Sequence, residues 1–310
     1  MIRWGIIGAG VIAHRFAESL KNEEGSVLYA ISGRNREKME AFKEKYPCEV
    51  IYTSFDELLS DENVDVVYVA LPHKMHKEWS VKALKAHKAV LCEKPATINA
   101  AEMEEIIAVS KAENTLFMEA MKTRFIPGYI WLKEQIAKGV IGEVISVDTS
   151  ICYKVPEYKT DFLDPATGGP LRDSGIYCMN YYEDMFEGMP VIEDIKYEMA
   201  ESGMENYVKV TMDYAGVKGH CEVAFDRTSP RDGQIYGTRG EIYITDLHRP
   251  TKFRVNGEEV VIPYDHDDFY SQIHHFCDLY RNGKKESDVM PLNSSLRMAQ
   301  LLELKRGEIK

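Results

Sequence analysis

Over its first 120 or so residues the chain alternates short apolar runs with amphipathic stretches. The apolar runs are Arg3–Gly8, Val27–Ser32, Val50–Tyr52, Val64–Ala70, Ala89–Cys92 and Thr115–Glu119. Between them, apolar residues recur at the helical period over Val11–Asn22, Arg36–Tyr46, Phe55–Ser60, Lys77–His87 and Ala100–Asn114. The first set predicts strands and the second predicts helices. Runs as continuously apolar as Val64–Ala70 are expected where helices cover both faces of a parallel sheet. Ser54 with Glu57, and Asn99 with Glu102, fit capping boxes at two helix starts. This is the pattern of a doubly wound α/β domain.

The rhythm changes after Met121. A helical stretch (Tyr129–Lys138) stops at Gly139, a long strand begins near Glu143, and a helix over Leu171–Phe186 follows Gly168-Gly169-Pro170. Strand-like segments then dominate: Ile192–Met199, Tyr207–Tyr214, Val217–Asp226, Gly233–Tyr236, Glu241–Thr245 and Phe253–Val255. Short turns such as Tyr214-Ala215-Gly216 imply antiparallel pairing. Helical stretches over Asp267–Arg281 and Leu292–Lys305 finish the chain. We therefore expect two domains, residues 1–121 with a parallel sheet and residues 122–310 with an open, mainly antiparallel sheet in an α+β arrangement. One face of that second sheet, with Tyr207, Val208, Val210, Val217 and Val223 as apolar candidates, is expected to make a homodimer or larger homo-oligomer.

Composition narrows the partners. The chain has 310 residues, 45% hydrophobic and 28% charged, with a formal net charge of −12. That charge repels a polyanion, and no Lys/Arg run offsets it, so no nucleic acid partner is expected. No apolar stretch approaches the ~20 residues needed to cross a bilayer, and no secretion signal precedes the first strand. The six cysteines are scattered without a C-x-x-C pair, which suits reduced thiols and a cytoplasmic location.

Two signals carry the chemistry. Gly8-Ala9-Gly10-Val11-Ile12-Ala13 joins the first strand to the first helix. Gly8 permits a tight turn, Gly10 lets backbone approach a pyrophosphate, and Ala13 lets the helix pack closely, while the amino-terminal amides favour an anion. Glu93-Lys94-Pro95 closes a buried strand and puts a cation at the carboxyl edge of the sheet, where ligands of such folds sit; its Lys94–Pro95 peptide is expected to be cis. After the second strand stands Ser32-Gly33-Arg34, with no acid about 20 residues past the glycines to bind a ribose 2′-hydroxyl. Small residues leave room there, and Arg34, aided by Arg36, can clamp a 2′-phosphate; simple solvated arginines are the other reading. Leu71-Pro72-His73-Lys74-Met75-His76 lies at the same edge, expected to line the cofactor with one histidine capping the next helix, and no metal site is expected. In the second domain Asp173 and Tyr177 share a helix face, either as functional groups or as a cap and a core residue.

In this order, Gly8-x-Gly10-x-x-Ala13, Leu71-Pro72-x-x-x-His76, Glu93-Lys94-Pro95, Met118-Glu119-Ala120 with Arg124 and Pro127, and Asp173-x-Gly175-x-Tyr177 resemble the glucose–fructose oxidoreductase/inositol dehydrogenase (Gfo/Idh/MocA) family. The resemblance implies a Rossmann domain followed by an α/β domain whose open sheet serves oligomerisation. Many relatives have His where this chain has Tyr177, a departure that points to dihydrodiol and NADP-dependent aldose dehydrogenases. It implies hydride transfer between NADP (or NAD) and a CH–OH group of a sugar, cyclitol or vicinal diol. Lys94 and Tyr177 would then handle the hydroxyl proton, with Asp173 holding Lys94 or substrate. Gly8, Gly10, Val11, Ile12, Ala13, Ser32, Gly33, Arg34, Leu71, Pro72, His73, His76, Glu93, Lys94 and Arg124 are the expected cofactor residues. A silent NAD(P)-binding regulator, and a hydrolase that uses its cofactor transiently, remain alternatives.

Overall fold

The structure, a computed structural model, describes residues 1–156 and 162–303. Strands and helices follow in the order β1 (Ile2–Ile7), α1 (Val11–Leu20), β2 (Ser26–Ser32), α2 (Arg36–Lys45), β3 (Val50–Tyr52), α3 (Phe55–Ser60), β4 (Val66–Val69), α4 (His76–Lys85), β5 (Ala89–Glu93), α5 (Ala100–Ala112) and β6 (Phe117–Ala120). Next come α6 (Pro127–Ala137), β7 (Val144–Cys152), α7 (Ile176–Met185), β8 (Val191–Met199), β9 (Glu205–Tyr214), β10 (Val217–Ala224), β11 (Gly233–Gly237) and β12 (Gly240–Ile244). The last elements are β13 (Lys252–Val255), β14 (Glu258–Val261), α8 (Tyr270–Arg281) and α9 (Leu292–Leu302). The helix expected through Lys305 is described as far as Leu302, and residues 304 and 305 lie outside the described residues.

The chain forms two compact units. One comprises Met1–Phe125 and Asp265–Leu296; the other comprises Ile126–Tyr264 and the described residues from Arg297 onward. An uninterrupted second domain from residue 122 is not what forms, because α8 returns to the first unit. Its Phe276 packs on Trp4 (ring centroids 5.3 Å apart), Cys277 Sγ lies 3.3 Å from Ser26 Oγ, and Arg281 donates to Glu23 at 2.7 Å. Trp4 also meets Phe16, which stacks on Tyr68 with centroids 3.8 Å apart. The first unit's six strands run in the order β3-β2-β1-β4-β5-β6, every neighbour parallel. The order reverses between β1 and β4, so their carboxyl ends open the crevice in which ligands of doubly wound sheets bind.

The second unit holds an eight-stranded sheet in the order β14-β13-β12-β11-β7-β10-β9-β8. Neighbours are antiparallel except β7 and β10. Side chains alternate between faces along each strand. Val208, Val210 and Met212 of β9 and Cys221 and Val223 of β10 are buried on the face that α7 covers. There the Tyr182 hydroxyl donates to the His220 carbonyl at 2.8 Å, and a Cβ on Gly219 would meet its ring at 2.8 Å. Val208, Val210 and Val223 are therefore core residues and not candidates for an exposed patch. The opposite face carries Tyr207, Lys209, Thr211, His220 and Glu222, all half-buried.

Three local differences have physical reasons. The helix expected from Leu171 begins with a π-turn over Leu171–Gly175, where the Ser174 hydroxyl donates to the Pro170 carbonyl at 2.9 Å; such back-bonding opens a turn. Strand β14 was not expected, although Asn256-Gly257, both at positive φ (50° and 89°), is the strongest short hairpin signal. Asn99 caps α5 by accepting from the Glu102 amide at 2.8 Å, whereas Ser54 makes no side-chain cap to α3.

The turn after β5 is held from three sides. His76, fully buried, sets its Nδ1 and Nε2 at 2.8 and 2.6 Å from the carbonyl oxygens of Pro95 and Leu71. Glu119 accepts from the Ala96 amide at 2.9 Å, and Glu93 accepts from the Lys94 amide at 3.3 Å and from the Tyr68 hydroxyl. The Lys94–Pro95 peptide is cis, as expected. Burial pushes the His76 imidazole below its ordinary value, against the two carbonyls that favour protonation. A depressed histidine stabilises the fold fully above its unfolded value, near ~6.5, and that stability is lost as pH falls through the folded value. Urea midpoints should therefore fall on acidification below pH ~6.5, and the slope should flatten in His76→Gln; parallel pH profiles would assign the loss to other groups.

Candidate active site

At the first strand's end Gly8 is obligatory. Its φ is +99°, and a Cβ would stand 2.4 Å from the Ala70 carbonyl oxygen at the end of β4. Two residues on, Gly10 is exposed and a Cβ there would meet nothing within 4 Å. Gly10 also starts α1 without any side-chain cap, and the first amides of the helix have no intrahelical partner. Val11 is exposed and Ile12 half-exposed around this amino terminus, while Ala13 is buried. Such a cradle fits a pyrophosphate: unpaired donors, a favourable dipole and room for the group.

The end of β2 sits beside it in the sheet. Ser32 Oγ is buried and has no hydrogen-bond partner among the described residues. Gly33 does not leave the room expected of it, because Met39 fills the place of its missing side chain, with Cε 2.5 Å from an ideal Cβ. Arg34 is exposed, and among the described residues no ion pair engages it. Arg36 is engaged by Glu40 at 2.9 Å. These residues fit the adenosine ribose end of a dinucleotide, with Arg34 as the cation available to a 2′-phosphate.

At the carboxyl end of β4, Leu71, Pro72 and His73 are half-exposed. His76 is not at this surface, since both its ring nitrogens are taken by backbone carbonyls. Neither histidine is the N-cap of α4, a position held by Met75 without a side-chain cap. Across residues 88–97, Lys94 alone escapes burial. Glu93 is buried with Tyr68, and burial raises its carboxyl's pKa; its part is to hold the turn. Arg124, 2% exposed, donates to the Val289 carbonyl at 3.3 Å and to Ser294 Oγ at 3.2 Å, which makes it a core clamp in place of the expected cofactor contact. Among the described residues no group of three or more His, Cys, Asp or Glu could hold a metal ion.

In the second unit the same logic recurs on α7. Across residues 174–183 Tyr177 alone escapes burial. Asp173 is half-exposed one turn earlier and accepts a short hydrogen bond from the Tyr153 hydroxyl. Burial raises the Tyr153 pKa far above its ordinary value, with Asp173 and Tyr177 adding and Arg231 opposing. Arg231 lies over the Tyr153 ring, 5.3 Å from its centroid. The Tyr177 ring packs on His248 with centroids 5.2 Å apart. Sequence reading missed Tyr153, Arg231 and His248. No spacing rule links residues just after β7, before β11 and after β12 to a helix between them. The loop Tyr153–Pro165 is where the sequence leads one to expect substrate contacts, and its residues 157–161 lie outside the described residues.

Comparison with known proteins agrees with this geometry. Residues 2–121 match the family model for the oxidoreductase family with an NAD-binding Rossmann fold (Gfo/Idh/MocA), and residues 129–243 match the model for that family's C-terminal domain. The trans-1,2-dihydrobenzene-1,2-diol dehydrogenase of Mus musculus is 34% identical over 326 residues, covering 99% of this chain and 97% of the relative. The scyllo-inositol 2-dehydrogenase (NADP(+)) IolU of Bacillus subtilis is 31% identical over 325 residues, covering 100% and 97%. Among solved structures, KijD10, a 3-ketoreductase from Actinomadura kijaniata in complex with NADP and TDP-benzene, superposes with a TM-score of 0.89 at 25% identity over 97% of this chain and 96% of that one. A glycine cradle at the sheet's switch point, a lysine held at its carboxyl edge and these matches over nearly the whole chain lead to one conclusion: the protein belongs to the Gfo/Idh/MocA family of oxidoreductases.

Proposed function

We propose that the protein transfers a hydride between NADP and a CH–OH carbon of a sugar, cyclitol or vicinal diol, with Lys94 and Tyr177 handling the hydroxyl proton. One observation carries this reading. Lys94 and Tyr177 are each the single accessible side chain in an otherwise buried run, on elements whose surroundings fix them. A structural lysine or tyrosine has no need of that arrangement. Relatives named for diol and inositol chemistry support the substrate class, and NADP is named for the Bacillus subtilis enzyme and the Actinomadura structure.

Bound NADP supplies the hydride acceptor or donor. The chain's own residues do the rest. Gly8, Gly10 and the first amides of α1 take the pyrophosphate, and Arg34 takes the 2′-phosphate. Oxidation of an alcohol removes a proton from the hydroxyl as the hydride leaves its carbon. A phenol near its ordinary pKa of ~10 is a weak base at neutral pH, and an ammonium group beside it favours the phenolate. In this reading Lys94 orients the hydroxyl and Tyr177 moves the proton. NAD can take the same cradle without the Arg34 contact. The six free, buried cysteines suit a cytoplasmic enzyme, and no helix among the described residues is long and apolar enough to cross a membrane.

We further propose a homodimer through the open face of the second unit's sheet. That face is more polar than expected. It holds a cavity of about 340 Å³ lined by Asp148, Lys209, His220, Glu222 and Tyr243 among others. Asp148 Oδ1 and Gln234 Nε2 are buried there without partners among the described residues, and buried polar atoms generally find one. A second copy can supply it.

Three outcomes are expected. Lys94→Ala and Tyr177→Phe should each lower kcat by about 10²–10⁴-fold, as loss of a positioned acid–base group does, while the NADPH dissociation constant changes little; full turnover by Tyr177→Phe on a confirmed substrate would disprove its role. Calorimetric titration of Arg34→Ala should show NADP binding weakened by roughly 1.5–3 kcal/mol, the worth of a charged hydrogen bond, with NAD unaffected. Light scattering at micromolar protein should give the mass of a dimer, and a monomer there overturns the interface.

A further inference from the structure

Taking Tyr177 as the proton carrier of the proposed reaction, we infer that His248, held in place by Asp246, is a positioning residue for the Tyr177 ring. The segment after β12 is tied down before it reaches the tyrosine. The Leu247 amide donates to the Arg231 carbonyl at 2.8 Å, and the Tyr181 hydroxyl, one turn along α7 from Tyr177, donates to the Leu247 carbonyl at 2.7 Å. Within the turn, Asp246 Oδ1 accepts from the His248 amide at 3.2 Å and lies 2.8 Å from the ring's Nδ1. The imidazole is therefore fixed at its backbone and at one ring nitrogen. Its side chain is 12% exposed, and its ring packs tilted on Tyr177, at 5.2 Å between centroids and 57° between planes.

Burial pushes the Asp246 carboxyl up, but the bonds from His248 outweigh it and the net direction is down. The clasp is thus charged on its carboxylate side, the stronger kind of hydrogen bond. Tyr181 and Tyr177 are four apart on α7, so one anchors the turn and the other receives its histidine. Tyr181 is fully buried with its hydroxyl satisfied inside the protein. Tyr177 is the half-exposed one. Packing against a fixed imidazole narrows the range of orientations open to a partly exposed tyrosine ring. Misplacing a reacting group by about 1 Å can cost on the order of 10²-fold in rate. His248 supplies the restraint from a segment distant in sequence.

The experiment separates positioning from chemistry and from general damage. His248→Ala should lower kcat about tenfold, as a small displacement of a reacting group does, with KM and the NADPH dissociation constant unchanged. His248→Phe, which restores a flat ring, should recover most of that loss. In a Tyr177→Phe background, adding His248→Ala should cost nothing more, since groups acting as a unit are not additive. Should His248→Ala fail to fold, Asp246→Ala frees the imidazole without removing it and carries the same expectation. Wild-type kcat in His248→Ala or Asp246→Ala beside an inactive Tyr177→Phe overturns the role of His248 alone. A His248→Phe variant as slow as His248→Ala, or a loss shared by KM and cofactor binding, also overturns it. An active Tyr177→Phe instead rejects the reading of the tyrosine on which this one rests.

Discussion

The turn after β5 is the constraint on which the first unit's chemistry depends. A peptide turn at the inner edge of a sheet brings backbone groups into a place water does not reach, and each must find a partner. Here the partners are His76, Glu93 and Glu119, buried polar side chains from three different elements. His76 answers the Pro95 carbonyl, Glu119 the Ala96 amide and Glu93 the Lys94 amide. Polar groups buried in a low-dielectric interior are costly when unpaired and rigidifying when satisfied. The result is a cation whose root cannot move. Glu93 and His76, expected at the cofactor, are themselves buried and hold this turn.

The second unit solves the same problem with different means. Burial on both sides of α7, from Ser174 to Glu183, fixes the helix, and Tyr177 is the one position left accessible. The π-turn that opens this helix puts Asp173 within reach of Tyr153, and π-turns tend to occur where function needs a side chain aimed off the helical register. Each unit thus leaves one accessible polar side chain, Lys94 in the first and Tyr177 in the second, on an otherwise buried run.

Much of the fold was legible. Period-2 and period-3.6 patterns located the parallel strands and their helices to within a few residues, because burial on both faces leaves continuous apolar runs that few other structures produce. The glycine turn was legible for a local reason: a tight strand-to-helix turn favours a residue free to take positive φ, and Gly8 sits at +99°. Lys94 and Tyr177 were legible as positions. Their shared seclusion among buried neighbours was not, since exposure depends on what packs around them.

What the sequence determined on its own is therefore the element order, the doubly wound sheet, the dinucleotide turn and the residue types at positions 94 and 177. Those follow from local rules: side-chain period, backbone sterics and the chemistry of Gly, Lys and Tyr. Only the tertiary structure decided that Arg124 braces the core, that Met39 fills the place beside Gly33, and that Val208, Val210 and Val223 face inward while a polar face is left open. It alone brought Tyr153 to Asp173 and His248 to Tyr177, and returned α8 to the first sheet. The reason is the same in every case. Which of two faces is buried, and which distant side chain completes a polar group, are properties of packing between elements, and no spacing within one segment encodes them.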